Sequence, residues 1–173
     1  KKKSFILNSI PPDRKGDIVI NKLKQKLIDY KKNIEWYGYF SSTSVYGNHD
    51  GGWVEETTKL NPTSLRGLRR KQAEKDHIYL YENYKIPIHI FRLPGIYGSG
   101  RSVIDKFKKN KAVEIVKKDH FFSRIHVEDI ATAIILSIRN KTPGEIFNVC
   151  DDMPSPSDEV VRFAAGLMNI KKI

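Results

Sequence analysis

Two arginines stand four residues apart in a segment that predicts a helix. Arg66 and Arg70 would share one face of that helix, because residues at i and i+4 are neighbours on its surface. Two guanidinium groups on one face can clamp a phosphate or a carboxylate through paired hydrogen bonds. In the alternative arrangement Arg70 pairs with Glu74 and Arg66 is solvated, which is common on protein surfaces and of small energetic weight.

A cluster of three glycines is a second candidate for phosphate binding. Gly95, Gly98 and Gly100 follow a predicted strand, and Arg101 opens the next segment. A glycine-rich turn before a helix can hold a phosphate on its backbone N–H groups. Short glycine motifs also occur by chance, so a plain strand-to-helix connection is the prediction here.

The composition narrows the class of protein. With 39% hydrophobic and 29% charged residues, the 173-residue sequence is typical of one globular domain with a sizeable core. The single cysteine, Cys150, excludes an internal disulfide framework and argues against a cysteine-based zinc site, so no metal site is predicted. The apolar stretch at 131–138 is too short to span a bilayer and we find no secretory signal, so the expected location is the cytoplasm.

The chain carries a formal net charge of +11. Such an excess indicates anionic partners, but it is weak evidence for any one of them. Nucleic-acid binders tend to use arginine forks with interleaved aromatic residues, whereas most basic residues here are lysines, and several of these lie on the polar face of the helix predicted at 20–32. A solvated surface is therefore favoured, and nucleic-acid binding stays open as an alternative.

The spacing of apolar residues predicts alternating strands and helices. Short apolar runs ended by proline, glycine or serine predict strands, and apolar residues three and four apart predict amphipathic helices. The predicted strands lie at 4–10, 34–40, 87–93, 113–116, 121–125 and 145–149, and the predicted helices at 20–32, 64–84, 103–109, 127–139 and 155–168.

This alternation predicts an α/β fold with a doubly wound parallel sheet. Ligands of such sheets bind beyond the carboxyl ends of the strands, which places the candidate site at 9–12, 41–46, 93–97 and 149–152. No glycine-rich strand-turn-helix unit opens the sequence, and the first strand looks like an interior one. We therefore expect residues 1–173 to be the rear portion of a longer protein whose N-terminal nucleotide-binding part is absent.

Six stretches, taken in order, carry a resemblance to a known family. They are Ser41-Ser42-Thr43-Ser44-Val45-Tyr46-Gly47, Trp53-Val54-Glu55-Glu56-Thr57, Asn61-Pro62-Thr63-Ser64, Phe91-Arg92-Leu93-Pro94-Gly95-Ile96-Tyr97-Gly98, Arg124-Ile125-His126-Val127-Glu128-Asp129-Ile130-Ala131 and Phe147-Asn148-Val149. Together they resemble the extended short-chain dehydrogenase/reductase superfamily, and within it the NAD-dependent epimerase/dehydratase family. The resemblance implies a Rossmann-type fold that binds NAD or NADP, with a small substrate-side subregion at about 101–126 and 150–173.

In that family a serine or threonine after one strand acts with a Tyr-x-x-x-Lys pair on the next helix. The tyrosine exchanges a proton with a substrate hydroxyl while hydride moves to or from the nicotinamide, and the lysine lowers the pKa of the tyrosine. Ser42 matches the serine or threonine, whose hydroxyl steadies the reacting oxygen, and Thr43 is the next candidate. In the alternative interpretation these hydroxyls only satisfy a strand-to-loop turn.

This sequence lacks the tyrosine and the lysine of the family at the matching positions. Arg66 stands at the tyrosine position and Arg70 at the lysine position, and an arginine keeps its proton, so it cannot act as this acid or base. Tyr81 and Lys85 have the literal spacing, but they lie at the far end of the predicted helix, away from the candidate site. The sequence thus resembles an atypical subgroup that lacks the active-site tyrosine, with Arg66 and Arg70 as the candidate catalytic clamp.

The resemblance also implies contacts with a cofactor and a substrate. Tyr46, Arg124 and His126 are the candidate substrate-binding residues, and a structural role is the alternative for His126. The candidate cofactor-binding residues are Ser9, Ile10, Pro11, Ser41, Leu93, Pro94, Gly95 and Ile96.

The resulting hypothesis is an NAD(P)-binding epimerase/dehydratase-like or reductase-like protein that acts on a small nucleotide-linked or carbonyl substrate. A non-catalytic NAD(P)-binding sensor or regulator is the alternative, because the Tyr/Lys pair is replaced. A basic nucleic-acid-binding protein is a second alternative. A homodimer through the helix that begins near Ser64 is a further hypothesis.

Overall fold

Strands and helices alternate along most of the chain. The structure is a computed structural model that describes residues 2–116 and 120–170. The strands are β1 (Ser4–Asn8), β2 (Ile34–Ser42), β3 (Ile88–Leu93), β4 (Gly95–Tyr97), β5 (Phe121–Phe122), β6 (Arg124–His126), β7 (Ile146–Asn148) and β8 (Ser155–Pro156). The helices are α1 (Ile18–Tyr30), α2 (Leu65–Tyr84), α3 (Val103–Lys108), α4 (Val127–Asn140) and α5 (Ser157–Leu167), with short 3₁₀ turns at Lys31–Asn33 and Thr43–Val45.

Four parallel strands of the described residues form the main sheet, in the order β1-β2-β3-β7. Strand β4 pairs in parallel with β6, and β5 pairs in antiparallel fashion with β8. The parallel sheet is Rossmann-like and confirms the predicted α/β fold class. None of the helices in 2–116 and 120–170 combines the length and the apolar character that crossing a membrane requires.

The two central strands are buried because helices cover both of their faces. Tyr37, Tyr39 and Ile90 lie in the core that also contains residues of α1 and α2. Trp36 and Phe91 lie in a second core with residues of α4. Successive side chains of a strand point to opposite faces, so the two cores lie on opposite sides of the sheet.

The strand register brings the polar ends of three strands together. Ser41 of β2 lies opposite Arg92 of β3, and Arg92 lies opposite Asn148 of β7. Helix α2 starts beyond this carboxyl edge, where the Ser64 hydroxyl accepts a hydrogen bond from the Gly67 N–H at 3.0 Å. The register therefore collects side chains from β2, β3, β7 and α2 at one end of the sheet.

Two local predictions differ from the structure, and one short strand was not predicted. The strand predicted at 113–116 is irregular, and the strand predicted at 121–125 is two strands, β5 and β6, with different partners. Strand β3 ends at Leu93, as predicted, but the sequence did not indicate that β4 begins at Gly95, where residues 95–97 pair with 124–126. These pairings join residues far apart in the chain, which local patterns do not reveal.

The cluster of three glycines does not open a phosphate-binding helix start. Gly98 and Gly100 have φ values of +154° and +72°, so they form a turn between β4 and α3. The Asp105 carboxylate accepts hydrogen bonds from the N–H and hydroxyl of Ser102 at 2.9 and 2.6 Å. An acid already occupies the start of α3, as expected for a plain strand-to-helix connection.

Candidate functional site

A buried ion pair links α2 to β3 at the carboxyl edge of the sheet. Arg92 Nη2 donates to Glu74 Oε2 at 2.8 Å and Arg92 Nε donates to Glu74 Oε1 at 3.1 Å. The Arg92 and Glu74 side chains retain 3% and 1% exposure, and the Ser41 hydroxyl donates to the same carboxylate at 2.5 Å. Burial alone would lower the pKa of Arg92, but the hydrogen bonds and the charge of Glu74 outweigh burial and raise it.

The same guanidinium group holds the loop between β2 and α2. Arg92 Nη1 donates to the Tyr46 hydroxyl at 2.8 Å and to the Glu56 carbonyl at 2.9 Å. The Tyr46 hydroxyl donates to Asn148 Oδ1 at 2.7 Å, and the Asn148 N–H donates to Glu56 Oε1 at 2.6 Å. The loop is therefore tied to both β3 and β7.

Tyr46, a predicted substrate-binding residue, is 2% exposed within this network. Burial raises the pKa of its hydroxyl above the ordinary value, although the hydrogen bonds from Arg92 and to Asn148 lower it in part. The hydroxyl keeps its proton at neutral pH and serves as a donor. The contacts recorded for Tyr46 are structural, and its substrate role stays a prediction.

The predicted catalytic hydroxyls lie just after β2. Ser42 Oγ accepts a hydrogen bond from the Ser44 N–H at 3.2 Å, and so caps the 3₁₀ turn Thr43–Val45. Thr43 is partly exposed, and its hydroxyl makes no hydrogen bond with any described residue. Ser42 thus has the turn-capping contact of the alternative interpretation, while its O–H and that of Thr43 remain able to donate.

The two arginines of α2 have different surroundings. Arg70 is 7% exposed, and its Nη1 donates to the Tyr39 hydroxyl at 3.1 Å and to the Phe40 carbonyl. Burial raises the pKa of Tyr39 to about 12, and the charge of Arg70 lowers it in part. Arg66 is exposed and has neither an ion pair nor a hydrogen bond with the described residues. The structure therefore does not bring the two guanidinium groups together as one clamp.

The alternative ion pair between Arg70 and Glu74 is wrong, because that carboxylate pairs with Arg92. The i and i+4 spacing on α2 permitted the pair, but Arg70 turns toward the end of β2 instead. Only Arg66 of the predicted clamp is exposed for contact with a ligand.

A polar cleft of about 380 Å³ opens beside these elements. It lies between the loop after β2, the start of α2 and the residue that precedes β5. The lining residues are Ser44, Gly47, Asn48, Thr63, Ser64 and His120. The sequence did not single out His120, since nothing local to it indicates a site.

Two glycines bring the walls of this cleft together. A Cβ on Gly67 would lie 2.4 Å from the Ser44 carbonyl oxygen, so the start of α2 sits directly against the turn after β2. Gly47 has a φ of +83°, and a Cβ there would lie 1.9 Å from the Asn61 carbonyl oxygen. Both positions need glycine because the backbone segments approach too closely for a side chain.

Three of the predicted cofactor-binding residues lie at the end of β1. Ser9, Ile10 and Pro11 are exposed. The Asn8 side chain shapes this turn, because its Oδ1 accepts a hydrogen bond from the Ile10 N–H at 3.1 Å. Exposed backbone and side chains at a carboxyl strand end leave room for a ligand.

The remaining predicted cofactor-binding residues have mixed exposure. Leu93 is buried at the end of β3, Pro94 and Ile96 are partly buried, and Gly95 is exposed. Ser41 is buried with its hydroxyl bonded to the Glu74 carboxylate, so its side chain faces the interior of the protein.

Arg124 and His126 hold β6 in place. Arg124 Nη1 donates to the carbonyl groups of Phe122 and Ser155 at 3.0 and 3.1 Å. His126 Nδ1 accepts from the Glu128 N–H at 3.4 Å and so caps α4. These contacts match the structural alternative for His126, and the substrate role of both residues stays a prediction.

The literal Tyr-x-x-x-Lys pair lies at the other end of α2. Lys85 ends the helix with a φ of +59°, and β3 begins at Ile88, so Tyr81 and Lys85 lie at the amino edge of the sheet. The Tyr81 ring packs closely on Gly144, where a Cβ would lie 2.4 Å from it. This position is opposite to the carboxyl edge that carries the candidate site.

Comparison with known proteins places the chain in a family. The sequence profile of the NAD-dependent epimerase/dehydratase family matches residues 22–150. The chain belongs to this family. This epimerase/dehydratase family member is also similar to protein YeeZ of Escherichia coli K12, with 33% identity over 112 residues, which are 65% of this chain and 38% of that protein.

Solved structures are similar to the family member described here. A protein of Silicibacter pomeroyi DSS, described as functionally unknown, has a TM-score of 0.89 and 41% identity, covering 98% of this chain and 61% of that one. The dTDP-glucose 4,6-dehydratase of Bacillus anthracis in complex with NAD has a TM-score of 0.79 and 21% identity, covering 90% and 52%. This chain therefore spans little more than half the length of these proteins.

Proposed function

We propose that the protein containing this chain binds NAD or NADP and acts as an epimerase/dehydratase-like or reductase-like enzyme on a small nucleotide-linked or carbonyl substrate. The observation that carries the proposal is the arrangement at the carboxyl edge of the parallel sheet. There Ser42 and Thr43 lie beside the start of α2, with the exposed Arg66 at the position where the family has its tyrosine. Ligands bind at this edge in doubly wound sheets.

Residues at the carboxyl edge support the proposal of cofactor binding. The exposed turn at Ser9, Ile10 and Pro11 ends β1, and Leu93 ends β3 on the same edge. These residues, with Pro94, Gly95 and Ile96, would contact the dinucleotide mainly through backbone and apolar surface. When bound, the nicotinamide supplies a hydride donor or acceptor.

The side chains of this chain would orient the substrate. The Thr43 hydroxyl, which has no partner among the described residues, can donate to a substrate oxygen, and so can the Ser42 O–H. Arg66 would hold negative charge on the substrate, because its guanidinium is a permanent donor and cannot take up a proton. Arg66 therefore cannot be the group that takes up the substrate's proton when hydride is transferred.

A non-catalytic NAD(P)-binding sensor or regulator is the second candidate. The replacement of the family's tyrosine and lysine by Arg66 and Arg70 favours it, because Arg70 is turned into the protein toward Tyr39 and Phe40. Such a protein would retain cofactor binding while lacking turnover.

Cofactor binding and turnover separate these candidates. We expect the full-length protein to bind NADH or NADPH in equilibrium fluorescence titrations, and failure to bind either would rule out both. Hydride transfer to a panel of aldehydes and sugar nucleotides favours the enzyme over the regulator. Loss of turnover in Arg66→Ala, with cofactor affinity retained, would support the role of Arg66, and Arg139→Ala is the matched exposed control.

Nucleic-acid binding makes a different prediction. Its affinity would fall steeply with salt concentration, because counterions are released from the phosphate backbone. Titration of the protein with a labelled duplex at two salt concentrations tests this alternative.

A homodimer through α2 stays a proposal. The exposure of Leu65, Leu68 and Tyr79 on this helix supports it. Light scattering of the wild type and of Leu68→Glu tests it, since a charge at an apolar interface would shift the protein toward the monomer.

A further inference from the structure

We propose that the polar cleft, lined by Ser44, Gly47, Asn48, Thr63, Ser64 and His120, binds an oxyanion of the substrate, a phosphate or a carboxylate group. The inference rests on the proposed function, since it assigns a class of substrate to the same carboxyl edge. It adds His120, which the sequence did not single out, to the candidate site. The cleft of about 380 Å³ is large enough for such a group together with part of a sugar or an acyl chain.

Two polar atoms of the lining lack partners in the described part of the chain. The Ser44 hydroxyl oxygen and His120 Nδ1 are each inaccessible to solvent in their present surroundings and make no hydrogen bond there. Buried polar groups are normally hydrogen-bonded, because an unpaired one costs free energy. A ligand in the cleft would satisfy both atoms after small side-chain rotations, with Nδ1 as a donor in the tautomer that carries its hydrogen.

An exposed cation follows the lining residue Ser64 in the chain. Arg66 lies in the first turn of α2, two residues after the lining residue Ser64, and is exposed. It makes no ion pair with the described residues, whereas a guanidinium group forms its strongest contacts with oxyanions. Among the lining residues, Asn48 contacts an acidic side chain, because its Nδ2 donates to Asp50 Oδ1 at 2.7 Å.

The walls of the cleft are set by backbone contacts. Gly67 lets the start of α2 lie against the Ser44 carbonyl, and Gly47 lets the loop lie against the Asn61 carbonyl. The Asn61 N–H also donates to the Tyr46 carbonyl at 3.1 Å. The backbone segments that carry Ser44, Thr63 and Ser64 are therefore held together before a ligand binds, which reduces the entropy lost on binding.

The test uses inorganic phosphate and malonate as oxyanion probes and glucose as a neutral polyol probe. Binding is measured as the rise in the midpoint of thermal unfolding at constant ionic strength. Each measurement is made with and without saturating NADH, because bound NADH blocks the positions where the probes could bind in place of the cofactor's own phosphates. The variants are Ser44→Ala, Arg66→Gln and His120→Asn, and Arg139→Ala is the exposed control. Circular dichroism spectra confirm that each variant is folded.

We expect phosphate or malonate to bind and glucose not to bind. Arg66→Gln should weaken oxyanion binding about tenfold or more, and Ser44→Ala and His120→Asn about three- to tenfold, because each removes a donor to a charged ligand. Arg139→Ala should leave the affinity unchanged. Whichever probe binds more tightly, phosphate or malonate, identifies the oxyanion.

Three results would overturn the cleft proposal: no oxyanion binding in the presence of NADH, glucose binding as well as the oxyanions, or equal affinity in the wild type and the three variants. NADH titration of the same samples separates this failure from that of the proposed function. Intact NADH binding with no oxyanion binding rejects the cleft alone. Oxyanion binding that depends on the three residues, with no NADH or NADPH binding, rejects the cofactor proposal and retains the cleft.

Discussion

Arg92 Nη2 lies 2.8 Å from Glu74 Oε2 in the interior of the protein. The contact joins the end of a central strand to the middle of α2, the helix whose first turn carries Arg66. The same arginine reaches the Tyr46 hydroxyl and the Glu56 carbonyl, so one side chain connects the helix, the sheet and the loop of the candidate site. The geometry of the site therefore depends on an ion pair that does not contact the cleft itself.

Removing the negative partner of this pair should destabilise the protein strongly. We expect Glu74→Gln to lower the free energy of unfolding by about 3–5 kcal/mol, because it leaves the Arg92 charge buried without compensation. Lys3→Gln is the control, since the Lys3–Glu35 pair at 3.4 Å is largely exposed and such pairs contribute at most about 1 kcal/mol. Urea denaturation measures both, and equal effects of the two variants would contradict the prediction.

A methyl group on Gly67 should disturb the start of α2. Its Cβ would lie 2.4 Å from the Ser44 carbonyl oxygen and 2.8 Å from Pro62 Cβ, so the backbone must shift. We expect Gly67→Ala to be destabilising even though alanine favours a helix over glycine by about 1 kcal/mol. Thermal unfolding monitored by circular dichroism gives the direction of the change.

Gly166→Ala is the matched control for that substitution. Gly166 lies in α5, and a Cβ there would meet nothing within 4 Å. The helical preference of alanine should then act alone and stabilise the protein by up to about 1 kcal/mol. A destabilised Gly166→Ala, or a stabilised Gly67→Ala, would show that backbone contact does not explain the two glycines.

Stability should fall as the pH drops below about 6.5, the ordinary pKa of histidine. Burial lowers the pKa of His77. The hydrogen bond to the Ala73 carbonyl and the nearby carboxylates raise this pKa, but the effect of burial is larger. The unfolded chain then binds a proton that the folded protein does not, so the free energy of unfolding decreases with falling pH until the folded pKa is reached.

The contribution of His77 can be isolated by substitution. His77→Phe retains a ring against Tyr39, whose ring centroid lies 4.0 Å from that of the histidine. It should reduce the pH dependence below 6.5 and leave the part contributed by His89, whose pKa is also lowered by burial. His49→Gln, which changes a partly exposed histidine, is the control for the loss of an imidazole. Urea denaturation at pH 7.5, 6.5 and 5.5 gives the slopes, and an unchanged slope in His77→Phe would refute the assignment.

Tyr81→Phe should leave NADH affinity and any hydride transfer unchanged within a factor of about two, because a hydroxyl remote from the reacting atoms adds no transition-state interaction. Tyr81 lies at the amino edge of the sheet, and phenylalanine preserves its packing on Gly144. Thr43→Ala is the contrasting variant, and we expect it to reduce turnover. Loss of turnover in Tyr81→Phe would overturn the placement of the site at the carboxyl edge.

The main sheet and its helices could be predicted because their signals are local. The largely apolar run at 34–40, the serines and threonine after it and the Ser64 cap each act within a few residues of the chain. The pairing of Gly95–Tyr97 with Arg124–His126 was missed because each strand is three residues long and its partner is distant. Short strands are defined by their partners more than by their own composition.

The candidate site could be predicted as a region but not as a set of contacts. Arg70 was expected to face a ligand, yet it is buried against Tyr39, and Glu74 pairs with an arginine on a strand 18 residues away. The sequence did indicate that Arg92 has a partner. Arg92 lies in a strand whose other residues, except His89, are apolar, and a buried charge requires a partner. Nothing in the sequence identified that partner.

Periodicity, turn residues and ordered motifs sufficed for the parallel α/β fold and the family, because these depend on which residue types neighbour one another along the chain. The burial and the partners of each charged side chain depend on how α2 packs on the sheet. Packing places groups from distant segments in a medium of low dielectric, where an unpaired charge is costly, and so it buried Arg70 and Arg92 while it left Arg66 exposed to solvent.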